Sequence, residues 1–320
     1  MDVLSSLKSF PDQIIDALSL ASDISITKPI KNIVISGMGG SAIAGDILRD
    51  YLKSELAVPI FVNRDYSIPG FVDKGTLVFI ISYSGKTEET LSAYEDSKSQ
   101  GAQIITITSG KISDNDIKIP ENMLPRCSLA YLFFPVLKIL ENSGMISNKE
   151  NEIEETISSL KNFDTNEPKK LADELEGKIP VFYGPERYSG VLYRWKTQLN
   201  ENSKVLAHVG AIPEINHNEI EINFENYVGT VAVVFLVDEN EEKRILKQTE
   251  VANNIISDYV KTYIVKVRGE SILSRMFYAI HFGDWLSYYL AELRNIKPEE
   301  TPNIKKVKNY LKTVKSVPKV

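Results

Sequence analysis

Four apolar runs in the first half of the chain limit the possible folds more than any other feature. They are Asn32-Ile33-Val34-Ile35-Ser36, Pro59-Ile60-Phe61-Val62-Asn63, Thr76-Leu77-Val78-Phe79-Ile80-Ile81 and Gln103-Ile104-Ile105-Thr106-Ile107-Thr108. Each is long enough for a strand and too short for a core helix. Helix-like segments at 42–52 and 88–101 separate them, and an apolar helix is expected at 129–143. Continuously apolar strands alternating with helices predict a parallel sheet covered on both faces.

The second half repeats that order loosely. Ile179-Pro180-Val181-Phe182-Tyr183-Gly184 predicts a strand, 189–201 a helix and 228–237 a long apolar strand. A charged helix at 241–259, a strand at 262–267 and a long apolar helix at 271–293 follow. Two copies of one α/β unit account for this pattern. Residues 148–168 are charged, but Ile153, Ile157 and Leu160 fall at helical spacing. A connecting helix is expected there, with the boundary inside it. The expected domains are 1–150 and 151–320, and no helix-turn-helix is expected before the first strand.

The 320 residues leave room for two domains of ordinary size. A net charge of −6 argues against a nucleic-acid or acidic-membrane partner. No apolar run approaches the length of a membrane span, and the first ten residues lack a signal-peptide core. The single cysteine, Cys127, rules out an internal disulfide and fits a reducing compartment. A cytoplasmic protein with a buried thiol is expected. His208, His217 and His281 are the only histidines, and their spacing does not suggest a metal site. Neither a metal nor a cofactor is expected.

Chemistry concentrates in a few segments. Ser82-Tyr83-Ser84-Gly85-Lys86-Thr87 lies between an apolar strand and a helix start. Its three hydroxyls, the glycine and the helix N-terminus favour a dianionic phosphate. Taken alone, the segment is equally a capped helix start. The equivalent turn of the second half, Asp238-Glu239-Asn240-Glu241-Glu242, would repel phosphate. Gly37-Met38-Gly39-Gly40-Ser41-Ala42 partly matches a dinucleotide fingerprint. The hydroxyl turn has no part in such a fold, and Val62-Asn63-Arg64-Asp65 gives no clear ribose-binding acid.

Asn200-Glu201-Asn202 ends a helix and offers a carboxylate base flanked by amides, or else a solvated terminus. Glu214-Ile215-Asn216-His217-Asn218-Glu219 places an imidazole among acceptors, which suits proton transfer near neutral pH. Arg126, after Pro125, could stabilise an oxyanion or serve as an ordinary ion-pair partner. Lys305-Lys306-Val307-Lys308 with Tyr310 and Leu311 forms an amphipathic basic segment.

Together these segments resemble one family. The Ser-x-Ser-Gly-x-Thr turn is similar to that of sugar isomerase (SIS) domains. The set Gly37-Met38-Gly39-Gly40-Ser41, Ser82 to Thr90, Gln198-Leu199-Asn200-Glu201-Asn202 and Glu214 to Glu219 resembles the bifunctional phosphoglucose/phosphomannose isomerases. The likeness spans roughly residues 30–310. It implies two SIS-type αβα sandwich domains, each a mainly parallel sheet flanked by helices. It also implies metal-independent interconversion of glucose 6-phosphate and mannose 6-phosphate with fructose 6-phosphate through an enediolate. Gly40, Ser41, Ser82, Ser84 and Thr87 would then hold the substrate, and Thr301 would be linked to acceptance of mannose 6-phosphate. Glu201 would move the proton, Arg126 would face the enediolate, and His217 would assist ring opening from the neighbouring subunit of a homodimer. Lys308 is the best match for an assisting lysine, with Lys305 and Lys306 as competitors. Lys86 departs from the pattern, because relatives often carry Asn there. The alternatives are a phosphosugar-binding regulator without catalysis and another SIS-type phosphosugar isomerase.

Overall fold

The computed structural model describes residues 1–311 and 313–314. Five parallel strands form the first sheet: β1 (Asn32–Ser36), β2 (Ile60–Asn63), β3 (Thr76–Ile81), β4 (Gln103–Thr108) and the short β5 (Ile117–Lys118). Their order is β2-β1-β3-β4-β5. β6 (Ile179–Pro185), β7 (His208–Ile212), β8 (Val231–Val237) and β9 (Thr262–Lys266) form the second sheet, ordered β7-β6-β8-β9. β6 occupies the place of β1, and β8 the place of β3. The expected pseudo-repeat is therefore present in the strand order.

The helices are α1 (Val3–Lys8), α2 (Phe10–Ser19), α3 (Gly40–Leu52), α4 (Glu88–Ser99), α5 (Leu129–Asn142) and α6 (Glu150–Lys161). They continue with α7 (Asn166–Leu175), α8 (Ser189–Gln198), α9 (Lys243–Ser257), α10 (Ile272–Leu293) and α11 (Pro302–Leu311). Alternate strand residues face opposite layers. Ile33, Ile35, Leu77, Phe79 and Ile81 face a large core shared with α3, α5 and α10. Val34, Val78 and Ile80 face the other side, where Tyr94 of α4 covers them. In the second sheet Phe182, Val234 and Leu236 join the shared core, while Val181, Val233 and Phe235 pack on Ala252 and Ile256 of α9. Phe133, Phe134 and Phe277 lie pairwise 5.0 Å apart between ring centroids, which locks α5 onto α10.

Two helix crossings set the position of α8, which leads into the candidate base. α10 approaches so closely that a Cβ on Gly283 would lie 2.1 Å from Trp195 Cδ1, and Trp195 Nε1 donates to Ala279 O at 2.8 Å. α3 crosses the other end. A Cβ on Gly190 would lie 2.9 Å from Ile47 N, and the Gly190 N–H donates to Asp50 Oδ2 at 2.8 Å. Asp50 thus caps, from the first half of the chain, a helix belonging to the second.

Burial pushes the Asp50 carboxyl up to about 6, against the pull of Arg49 and the Gly190 N–H. An unfolded Asp titrates near 4. The folded-state value is the higher one, so the stabilising contribution is full below pH ~4. It is lost as pH rises through about 6, a change of about 3 kcal/mol for this group. Asp50→Asn, which cannot titrate, should therefore gain about 3 kcal/mol on the wild type between pH 4 and 7. Chemical unfolding at both pH values measures this. Parallel stability curves for the two proteins would show that the carboxyl does not titrate in that window.

Sequence expectations missed several elements. α1 and α2 precede β1, where no element was expected. Residues 148–168 hold α6 and the start of α7 rather than one connecting helix. The helix expected at 189–201 ends at Gln198 and gives way to a π-helical turn, Leu199–Ser203. Cys127 is buried, as expected of a core thiol, and burial raises its pKa to about 11.

Candidate active site

In a parallel sheet ordered 2-1-3, the turns after strands 1 and 3 diverge and leave a crevice at the carboxyl edge. In this chain those turns are the glycine turn at 37–40 and the hydroxyl turn at 82–87. Ser36 is in register with Ile80, so the two turns leave the sheet side by side.

The hydroxyl turn is held from within the first half. The Ser82 N–H donates to Ile107 O at 3.1 Å, and Tyr83 O accepts from the Ser109 N–H at 2.9 Å and from Ser109 Oγ at 2.7 Å. Ser82 is buried and its Oγ donates to Thr87 Oγ1 at 2.9 Å. Ser84 is exposed, and its Oγ accepts from the Lys86 N–H at 3.2 Å. Lys86 itself is exposed.

Gly85 has φ +65°, and a Cβ there would lie 2.7 Å from Lys111 N. An L-residue in that region costs about 1–2 kcal/mol before any clash. Gly85→Ala should therefore distort the hydroxyl turn and raise KM for a phosphosugar about tenfold or more, with kcat changed less than about threefold. Steady-state kinetics on the purified variant checks this.

The glycine turn joins the hydroxyl turn to the charged groups. A Cβ on Gly37 would lie 2.8 Å from Ile81 O and from Ser41 Cβ, so Ser41 packs where β3 enters the hydroxyl turn. A Cβ on Gly40 would lie 3.2 Å from Pro125 O and 3.5 Å from Arg126 Cα. The N-terminus of α3 therefore touches the end of β3 on one side and the Pro125–Cys127 turn on the other. α3 carries no acid in its first turn, so its dipole is free to favour an anion.

Arg126 is buried. Its Nε donates to Asn202 Oδ1 at 2.6 Å, its Nη2 to Pro298 O at 2.5 Å, and its Nη1 lies 3.7 Å from Glu201 Oε2. Glu201 stands on the π-helical turn, a form that recurs at functional sites. The wider turn buries Asn202 and Ser203 and leaves the Glu201 side chain 29% exposed. Asn202 Nδ2 donates to Ser287 Oγ at 2.9 Å, and Ser203 Oγ donates to Ser287 O at 2.7 Å. A buried pair, Arg194–Asp284 at 2.7 Å, supports both sides, because Arg194 Nη2 also donates to Arg126 O at 3.0 Å. The arrangement is a partly exposed carboxylate beside a fixed guanidinium, one helix N-terminus away from a cluster of hydroxyls.

The equivalent crevice in the second sheet is filled from within. Asp238, at the end of β8, accepts from Tyr188 Oη at 2.7 Å and from Arg275 Nε at 2.9 Å. A cleft of about 430 Å³ between the halves is lined by Asp46, Arg49, Arg64, Ser189 and Tyr193. Its arginines are already paired with Asp46 and Asp50, so it offers a dianion little uncompensated charge.

The remaining expected residues do not join this cluster within one chain. His217 is exposed on the Glu214–His217 turn and lines a groove with Arg244, Lys247 and Gln248. Among the described residues no hydrogen bond or ion pair links it to Glu201 or Arg126. The segment that carries it is anchored nearby, because Glu219 Oε2 accepts from Tyr183 Oη and meets His208 Nε2, both at 2.8 Å. Thr301 is half-buried just before α11, and Lys305, Lys306 and Lys308 are all exposed on α11. Sequence reasoning did not find Lys204, Arg194, Asp284 or Ser287. Their partners are mostly more than 60 residues away in the chain, which leaves no local pattern to read.

The chain is 36% identical to a bifunctional phosphoglucose/phosphomannose isomerase of Caldicellulosiruptor bescii, over 97% of this chain and 99% of that protein. The chain belongs to the bifunctional phosphoglucose/phosphomannose isomerase family. A second member, from Thermoplasma acidophilum, is 39% identical over 89% of this chain and 91% of its own. The SIS domain profile matches residues 27–116, and the bacterial phospho-glucose isomerase C-terminal SIS domain profile matches residues 164–311. The two matches fall on the two sheets, short of β5 in the first. The C-terminal domain of a glucosamine-fructose-6-phosphate aminotransferase from Francisella tularensis shares the fold at TM-score 0.71 and 18% identity, covering 92% of this chain and 96% of that one. SIS domains thus build both halves of this family member.

Proposed function

We propose that the protein interconverts glucose 6-phosphate and mannose 6-phosphate with fructose 6-phosphate through an enediolate, without a metal. The observation that carries this reading is the continuous contact from the hydroxyl turn, through Gly37, Ser41 and Gly40, to Arg126 and Glu201. The phosphate would sit on Ser41, Ser82, Ser84 and Thr87. Its sugar would then extend over Gly40 towards the carboxylate.

Glu201 would take the C2 proton of the open-chain aldose and return it to C1. Arg126 would offset the negative charge that develops on the enediolate oxygens. Glucose and mannose 6-phosphates differ only at C2 and give the same type of enediolate, so one base can serve both. Ring opening would use His217 from a second copy of the chain, which makes the enzyme a homodimer. The exposed apolar side chains of α11, Ile304, Val307 and Tyr310, support burial against such a copy. A division near residue 150 into a phosphate-holding half and a half bearing Glu201 and His217 agrees with the two sheets. No helix among the described residues is long and apolar enough to cross a membrane, and we place the protein in the cytoplasm.

A coupled assay with each aldose phosphate, with and without a chelator, tests the proposal. Turnover of both substrates, unchanged by the chelator, is expected. Binding of fructose 6-phosphate without turnover would identify a regulator instead, and loss of activity in the chelator would refute the metal-free mechanism.

A further inference from the structure

Lys204 follows the π-helical turn directly and adopts the left-handed conformation, with φ +59° and ψ 34°. Few non-glycine residues do so, and the backbone is held there by its surroundings. The side chain is exposed to solvent but folds back along the turn. Its Nζ donates to Glu201 O within the turn and to Glu300 O at 2.7 Å. The second acceptor is 96 residues away in the chain and immediately precedes Thr301. Arg126 reaches the same segment two residues earlier, through Nη2 to Pro298 O. Two cations from separate parts of the fold therefore hold the stretch 298–300 by its carbonyl oxygens.

These contacts lie at the root of α11. None of the residues of α11 is buried within the chain, so packing does little to fix where it starts. The carbonyls take the place of a packed interface, since a charged donor makes a hydrogen bond roughly twice as strong as a neutral one. Desolvation, and then the nearby Arg126, depress the Lys204 pKa. Glu201, Glu300 and Glu299 act the other way, and the carbonyl bonds add to their pull on the ammonium.

We infer that Lys204 is a positioning residue for the isomerisation: its ammonium clamps the Glu201 turn to the 298–300 segment, fixing the base carboxylate relative to Arg126 and to the start of α11. This rests on the isomerase reading only for its kinetic consequence, because the clamp can be measured without turnover.

Hydrogen–deuterium exchange and steady-state kinetics on Lys204→Met and Lys204→Arg test it. In Lys204→Met, amide exchange in peptides spanning 199–204 and 299–311 should rise about tenfold, with peptides of β1 and β3 unchanged. kcat should fall about tenfold, with KM for the aldose phosphates within about twofold, because the hydroxyl turn is untouched. Lys204→Arg, which can still bridge two carbonyls, should restore most of both. Unchanged exchange in Lys204→Met would overturn the clamp whether or not the wild type turns over substrate. Faster exchange with unchanged kcat would overturn the link to the base, as would a loss of kcat that Lys204→Arg shares. An inactive wild type would instead sink the isomerase reading, and the exchange data would still decide the clamp.

Discussion

Replacing Glu201 by Gln is expected to lower kcat for both aldose 6-phosphates by on the order of 10²–10⁴-fold, the usual contribution of a positioned general base. The amide is nearly isosteric and cannot take a proton from C2. Its loss of charge should cost little stability, because the side chain is 29% exposed and its link to Arg126 is long, at 3.7 Å. The fold, and the affinity for inorganic phosphate, should stay close to wild type. Both activities should fall together if, as proposed, one carboxylate serves both C2 epimers. Activity on one substrate at near wild-type level would mean that a different group moves that proton. The pair of kcat ratios, one per substrate, is the measurement.

Arg126→Met should lower kcat/KM by about 10²–10³-fold, the range seen when one stabiliser of a developing oxyanion is removed. Its effect on the fold is larger than that of Glu201→Gln. Arg126 is buried and donates to Asn202 Oδ1 and Pro298 O. Removing the guanidinium leaves two acceptors without their donor, at about 1–3 kcal/mol for each that stays dry. Part of the lost activity should return when guanidinium ion is added at millimolar concentration, because the cavity left behind is lined by those acceptors. Arg126→Lys keeps the charge but cannot serve Asn202, Pro298 and Glu201 in one geometry, and should recover only part of the rate. Thermal unfolding measured beside the kinetics separates the two effects. A stability loss with kcat/KM intact would make Arg126 a structural residue only.

The strands and the hydroxyl turn were legible in the sequence because burial on both faces demands continuous apolar runs and the turn demands glycine and hydroxyls. β1, β3 and β4 stand where the runs put them, and the strand orders of the two sheets correspond. The N-terminal helices were not legible. α1 is a short Ser-rich helix, and Pro11 near the start of α2 reads as a breaker although a proline is tolerated at that position. The π-helical turn was hidden for another reason. Its residues continue the helical pattern, and the groups that hold it, Arg126 and Ser287, come from elsewhere in the chain. The candidate base was visible as a carboxylate between two amides. The job of the second amide, holding Arg126 at 2.6 Å, was not visible, because the two lie 76 residues apart. His217 stood out by the density of acceptors around it, yet one chain leaves it exposed on the second sheet's groove. In the proposed function its place in the chemistry would depend on a second copy.

In the proposed site the Ser82–Thr87 turn and Glu201 bind opposite ends of one substrate. A crystal structure with a bound five-carbon sugar-acid 5-phosphate, whose carboxylate mimics the enediolate, tests this most directly. The phosphate should lie within hydrogen-bond distance of the Ser82, Ser84 and Thr87 hydroxyls, and the mimic's carboxylate should meet Arg126 with Glu201 about 3 Å away. A phosphate bound instead in the Arg49–Arg64 cleft, or a Glu201 carboxylate out of reach of the sugar, would contradict the account.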